Sequence, residues 1–178
     1  MTLLSSRRVY SGRIVSLDID TVRFPNGNVG ELEMLRHPGA SAVLPFLDPV
    51  EDADPRVLLI KQFRHATGDY LWEIPAGRRD GEESPETTAH RELQEETGYR
   101  ASQVERLTSI WTTPGFTDEV IHLFLASGLT PGESALEADE VLAVHPLPWS
   151  EVLDMVHNGT ITDTKSINAI LFVQAFKR

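Results

Sequence analysis

Three glutamates, Glu92, Glu95 and Glu96, are spaced i, i+3 and i+4. On an α-helix those spacings put side chains on one face. Like charges placed there repel by roughly a few tenths of a kcal/mol per pair. Near a helix C-terminus they also meet the negative end of the macrodipole. A helix built only for its own stability gains nothing from this arrangement. A divalent cation reverses the sign of the interaction, and hard carboxylate oxygens suit Mg²⁺ or Mn²⁺. Arg91, beside the cluster, can hold one carboxylate in its guanidinium fork. Glu83 can join them if the chain from Gly77 to Glu83 folds back. The competing reading is a solvated acidic helix face, which is what most charge runs are.

The helix that must carry these glutamates has clear ends. Ser84 suits the N-cap, Pro85 the first helical position, and Glu86 the first turn, where the dipole favours an acid. The helix runs to about Thr97, and Gly98 stops it. Upstream, residues 13–24 and 31–36 read as antiparallel strands joined by the turn Pro25-Asn26-Gly27-Asn28. In the first of these, Ile14, Leu17, Ile19 and Val22 alternate with polar neighbours. The first 40 residues are three short strands that bury little alone. Residues 42–47, 57–63, 71–74, 107–112, 120–126 and 141–146 read as further strands. Residues 150–157 and 163–176 read as helices, the second with a stripe of Ile167, Ile170, Leu171, Val173 and Phe176. Strands mixed with few, late helices argue for an α+β fold.

Composition narrows the partners. The chain has 178 residues, which suits one domain with a small appendage. Acidic residues number 27 against 16 basic, a net charge of −11. That is unsuited to a nucleic-acid backbone, which needs clustered Lys and Arg. A phosphorylated substrate would need positive charge from elsewhere, and a divalent metal supplies it. There is no Cys, so disulfides, thiolate zinc sites and a cysteine nucleophile are excluded. No apolar stretch approaches the roughly 20 residues of a spanning helix, and the N-terminus lacks a signal-peptide core. The expectation is a cytoplasmic protein that does not engage membranes.

The spacing from Gly77 through Glu83, Arg91-Glu92-Leu93, Glu95-Glu96 and Gly98 to Tyr99 resembles the Nudix box. Seven of its positions demand one residue type, so a chance match is about 10⁻⁷ per starting point at common residue frequencies. Tyr99 stands where the pattern usually has an aliphatic residue. The resemblance implies an α/β/α sandwich with a mixed sheet over residues 41–178. Residues 1–40 are then an antiparallel strand unit serving dimerisation and the substrate pocket. It also implies Mg²⁺- or Mn²⁺-dependent cleavage of a nucleoside diphosphate linked to another moiety.

Beyond the box, Pro114 lies fifteen residues past Tyr99, followed by Gly115 and Phe116. With Gln62-Phe63-Arg64, the run Leu71 to Gly77, and Gly159 to Lys165, this resembles the ADP-ribose pyrophosphatase branch. The resemblance implies a homodimer that cleaves ADP-ribose to AMP and ribose 5-phosphate. GDP-mannose, flavin dinucleotide and dinucleoside polyphosphates are the alternative substrates, and a nucleotide sensor is the non-enzymatic alternative. Glu92 and Glu96 are then the main metal ligands, with Glu95, Glu83 and the Ala76 carbonyl joining them. Arg91 orients the carboxylates. Glu137, in an acidic loop, fits the general base, with Glu140 as runner-up; Glu95 and Arg91 complete the catalytic set. Arg64 approaches the diphosphate or terminal ribose, or is a surface arginine. Glu73 contacts substrate polar groups, or pairs with a nearby arginine. Phe116 lines the sugar pocket, or is core. Pro114 and Gly115 complete the substrate-binding set.

Overall fold

A computed structural model describes residues 1–136 and 141–178. The chain divides into two units. One comprises Met1–Gly39 with Trp111–Val120, and the other Ala40–Ile110 with Ile121–Arg178.

The first unit is a three-stranded antiparallel sheet of β1 (Thr2–Ser11), β2 (Ser16–Arg23) and β3 (Val29–Arg36), in that order. The expected turn is present: Gly27 has φ +89°, and the Asn28 N–H donates to Asn26 Oδ1 at 3.1 Å. The inward face of β2 differs from the apolar reading. Asp18, Asp20 and Val22 are buried, while Ile14 is exposed. The reason is an ion network: Arg8 and Arg36 both pair with Asp18, and Arg36 and the Ser6 hydroxyl both bond Asp20. The 111–120 segment also closes on this unit. Asp118 accepts from the His37 N–H at 2.8 Å, and the Leu35 N–H donates to the Phe116 carbonyl at 2.7 Å.

Among the described residues, the second unit contains two sheets and three helices. One sheet is mixed, in the order β7 (Ala76–Arg78), β4 (Ala40–Pro45), β9 (Val120–Pro131), β8 (Tyr99–Trp111), with β4 parallel to β9 and antiparallel to β7. The other is antiparallel, in the order β10 (Leu142–Pro148), β5 (Arg56–Arg64), β6 (Asp69–Glu73). Every residue of β4 is buried, as a strand covered on both faces requires. Its alternation sorts the core. Ala42 and Leu44 pack with Leu123, Leu125 and the buried apolar residues of α2 (Trp149–His157) and α3 (Thr164–Phe176). Val43 packs with Phe124, Ala126, and with Ala89 and Leu93 of α1 (Pro85–Thr97). Helices thus cover both faces of the central strand. The fold is mixed α/β around a mixed sheet.

The helix caps stand where local chemistry puts them. Ser84 Oγ accepts from the Thr87 N–H at 3.1 Å, Pro85 opens α1, and Gly98 closes it at φ +72°. On α3, Ala169, Ile170 and Val173 are buried, whereas Leu171 and Phe176 of the expected stripe are exposed. No helix among the described residues is long and apolar enough to cross a membrane. Replacing Ser84 by Ala should cost about 1 kcal/mol of stability through the lost cap. Urea unfolding checks this, and an unchanged midpoint would contradict the capping assignment.

Candidate active site

Helix α1 carries its carboxylates past the short strand β7. Glu92 and Glu96 are 6% and 2% exposed, far from a solvated acidic face. The Ala76 N–H donates to Glu96 Oε2 at 2.9 Å. Gly77 faces Glu92 directly: a Cβ built there would sit 1.9 Å from Glu92 Oε1 and 2.1 Å from its Cδ. Any side chain at position 77 would displace the carboxylate, which gives this glycine a packing reason.

Arg91 gathers the remaining acids. Its Nη1 donates to Glu92 Oε1 at 2.7 Å and to Glu95 Oε2 at 2.8 Å. Its Nε and Nη2 reach Glu83 at 3.1 Å, and Nη2 also donates to the Arg78 carbonyl at 2.9 Å. The loop from Gly77 does fold back, because Glu83 also accepts from Thr88 Oγ1 at 3.0 Å and from the Asp80 N–H at 3.3 Å. Burial works against the Arg91 charge, but Glu83, Glu92 and Glu95 more than reverse that and raise its pKa. The Arg91 guanidinium, aided by Thr88 and the Asp80 N–H, holds the Glu83 carboxyl down to about 2.

Three carboxylates, Glu83, Glu92 and Glu95, bond one guanidinium, and with Glu96 on the Ala76 N–H these five side chains sum to a net negative charge. Among the described residues no three His, Asp or Glu side chains form a ready-made metal cage; Glu83, Glu92 and Glu95 are turned onto Arg91. The donor set nevertheless fits a hard divalent cation. It is all oxygen, carries surplus negative charge, and lies against a backbone that glycine lets approach the carboxylates.

The substrate-side candidates divide between the units. Arg64 and Glu73 lie in the second. Arg64 forks the Glu73 carboxylate, Nε to Oε1 and Nη2 to Oε2, both at 2.8 Å. Glu73 thus pairs with an arginine and is only 1% exposed. Burial pushes its carboxyl up, but Arg64 and Lys165 together hold it below the usual range. The Glu73 fork raises the Arg64 pKa against burial, and Glu96 and Asp163 add to that field. Pro114, Gly115 and Phe116 lie in the first unit, where Phe116 is 49% exposed and so is not core. Glu137 and Glu140 lie outside the described residues.

Sequence reasoning did not assign roles to Lys165, Ser166 and Gln62. Lys165 is 8% exposed and pairs with Glu73 and, at 3.0 Å, with Asp163. Ser166 Oγ accepts from the Ile74 N–H at 2.8 Å. Gln62 shares its strand face with Arg64, and its Oε1 is buried without a hydrogen-bond partner among the described residues. The available signal was a lysine and a serine inside an otherwise apolar helical stripe.

Comparison with known proteins gives the family. The NUDIX domain family model matches residues 36–168. The chain belongs to the NUDIX hydrolase family. A methanol dehydrogenase activator of Bacillus methanolicus is 38% identical over 96% of this chain and 91% of its own length. An ADP-ribose pyrophosphatase of Bacillus subtilis is 36% identical over the same shares. A crystal structure of an ADP compounds hydrolase superposes with a TM-score of 0.82 at 22% identity, covering 98% of this chain and 92% of that one, and so shares the fold.

The depressed Glu83 pKa makes a pH prediction. Its folded-state value, about 2, lies below the ordinary 4.5. The associated stability is complete above about pH 4.5 and is lost as pH falls towards 2. Glu83→Gln should therefore lose less stability than the native protein across that window. Urea unfolding at both ends measures the difference, and an equal loss would exclude the Arg91–Glu83 linkage.

Proposed function

We propose that the protein hydrolyses the pyrophosphate bond of ADP-ribose, giving AMP and ribose 5-phosphate, with Mg²⁺ as the activating cation. The observation that carries this reading is the convergence of Glu83, Glu92 and Glu95 on Arg91, with Glu96 held on the Ala76 N–H. The relative named ADP-ribose pyrophosphatase supports the choice of substrate. The relative named for activating a dehydrogenase has a name that states no substrate.

Glu92 and Glu96 would hold the cation, with Glu95, Glu83 and the Ala76 carbonyl beside them. The cation supplies charge neutralisation at the diphosphate and polarises the attacking water. Arg91 holds the carboxylates together and oriented, so that their repulsion does not splay them. Arg64 presents a guanidinium to the diphosphate, whose geometry matches the planar fork. In the reaction a water oxygen bonds to one phosphorus and the bridging P–O bond breaks. The departing phosphate keeps the electron pair. Glu137 is our assignment for the base that takes the proton, with Glu140 the alternative.

The partner we assign to the exposed β1 strand is a second copy of the chain. Leu3, Leu4, Val9 and Tyr10 are each about half exposed there, and a long apolar edge strand invites pairing.

Glu96→Gln keeps an acceptor for the Ala76 N–H but removes a charge. It should lower kcat on ADP-ribose by at least about 10² while leaving the melting temperature nearly unchanged. Glu137→Gln should slow turnover with metal affinity kept, and an unchanged rate would move the base role to Glu140. Both variants are read by release of the nucleoside monophosphate (AMP from the adenosine-containing substrates, GMP from GDP-mannose) across a panel of ADP-ribose, GDP-mannose, flavin dinucleotide and diadenosine polyphosphates. Near-native activity in Glu96→Gln would overturn the metal assignment.

A further inference from the structure

We infer that Lys165 is a positioning residue for Arg64, acting through the Glu73 carboxylate. This rests on the reading of Arg64 as a diphosphate contact. The inference adds a device in α3 that sets where that contact points.

The geometry has four charged members. Glu73 ends β6, three residues before Ala76 and four before Gly77, which meet the box carboxylates. Its Oε1 accepts from Arg64 Nε, and its Oε2 accepts from both Arg64 Nη2 and Lys165 Nζ. Lys165 is held from the other side by Asp163 Oδ2 at 3.0 Å. Asp163 is itself fixed as the α3 cap, accepting from the Ser166 N–H at 3.0 Å and from Ser166 Oγ at 2.5 Å. Ser166 Oγ in turn receives the Ile74 N–H. The first turn of α3 is therefore stitched to the end of β6 at two neighbouring residues.

A guanidinium fork is coplanar with its carboxylate. Fixing the carboxylate plane fixes the guanidinium plane. Without Lys165, the Arg64 fork makes the only hydrogen bonds to the Glu73 carboxylate among the described residues, and no bond from outside the fork sets its plane. With Lys165 bound, the plane is set by the helix. The register shows how far the arginine must reach. Arg64 pairs with Asp69 and Glu73 with Ile60, so the Arg64 side chain runs back along β5 to its partner. A long side chain laid along a strand has many rotamers to lose, and an anchored fork selects one. Arg64 stays 40% exposed, and its Nη1 makes no hydrogen bond among the described residues. That edge is left to meet a ligand anion.

Stability alone is a weak reason to bury this group. Desolvating charges offsets most of what their pairing returns, and apolar replacements of similar volume are often as stable. Orientation of the one exposed member is a reason apolar residues cannot supply.

The test is a kinetic cycle with ADP-ribose and Mg²⁺ on the full chain. Lys165→Met keeps the stem and removes the charge. It should raise KM about tenfold with kcat within about twofold, as expected for loss of a contact held equally in ground and transition states. Lys165→Arg should restore most of the loss. In an Arg64→Gln background, Lys165→Met should change KM little further. Additive effects in the two backgrounds, or a melting-temperature loss with KM unchanged, would overturn the inference. Should Lys165→Met fail to fold, Lys165→Gln is read in the same cycle. An unchanged KM in Arg64→Gln would reject the diphosphate contact and this inference with it. A raised KM in Arg64→Gln with a native KM in Lys165→Met would reject only the positioning role.

Discussion

The carboxylates of α1 face the backbone of Ala76 and Gly77 at a distance only glycine permits. A Cβ at position 77 would fall inside the Glu92 carboxylate. Much of the second unit follows from that approach. β7 must pair with β4 to bring Ala76 alongside the helix. β4 must be buried on both faces, so that α1 and α3 can cover it from opposite sides. Gly98 must end α1 immediately after Glu96 and Thr97. Arg91 then offsets part of the charge the cluster concentrates. The remaining surplus is the electrostatic reason a cation belongs there.

The second charged group is of a different kind. Glu73, Arg64, Lys165 and Asp163 balance one another, where the box does not. A neutral, mostly buried network attracts no metal. Its value is geometric, and it borders the box through the field of Glu96 at Arg64. The site thus has a net-negative half suited to a cation and a guanidinium edge suited to an anion. A diphosphate bridged to a divalent ion uses both.

What was legible in the sequence was what local chemistry decides. Ser84, Pro85 and Gly98 marked the ends of α1 because caps are satisfied within one turn. The box residues were legible because their spacing along one helix and its preceding loop defines them. Strand lengths were less so. β8 starts at Tyr99 and β9 runs to Pro131, well beyond their apolar stretches, because ladder partners extend polar segments such as Arg100 to Glu105. The burial of Asp18 and Asp20 was hidden for the same kind of reason, since their arginines lie on neighbouring strands. Lys165 meets Glu73 across 92 residues of sequence. No local pattern announces a pair that only the docking of α3 onto β6 creates.

The most direct measurement is the rate of AMP and ribose 5-phosphate release from ADP-ribose as Mg²⁺ is titrated into chelator-treated protein. The carboxylate cluster predicts no turnover without the cation and a saturable rise with it. Turnover that persists in chelator, or its absence at saturating Mg²⁺, would contradict the central claim.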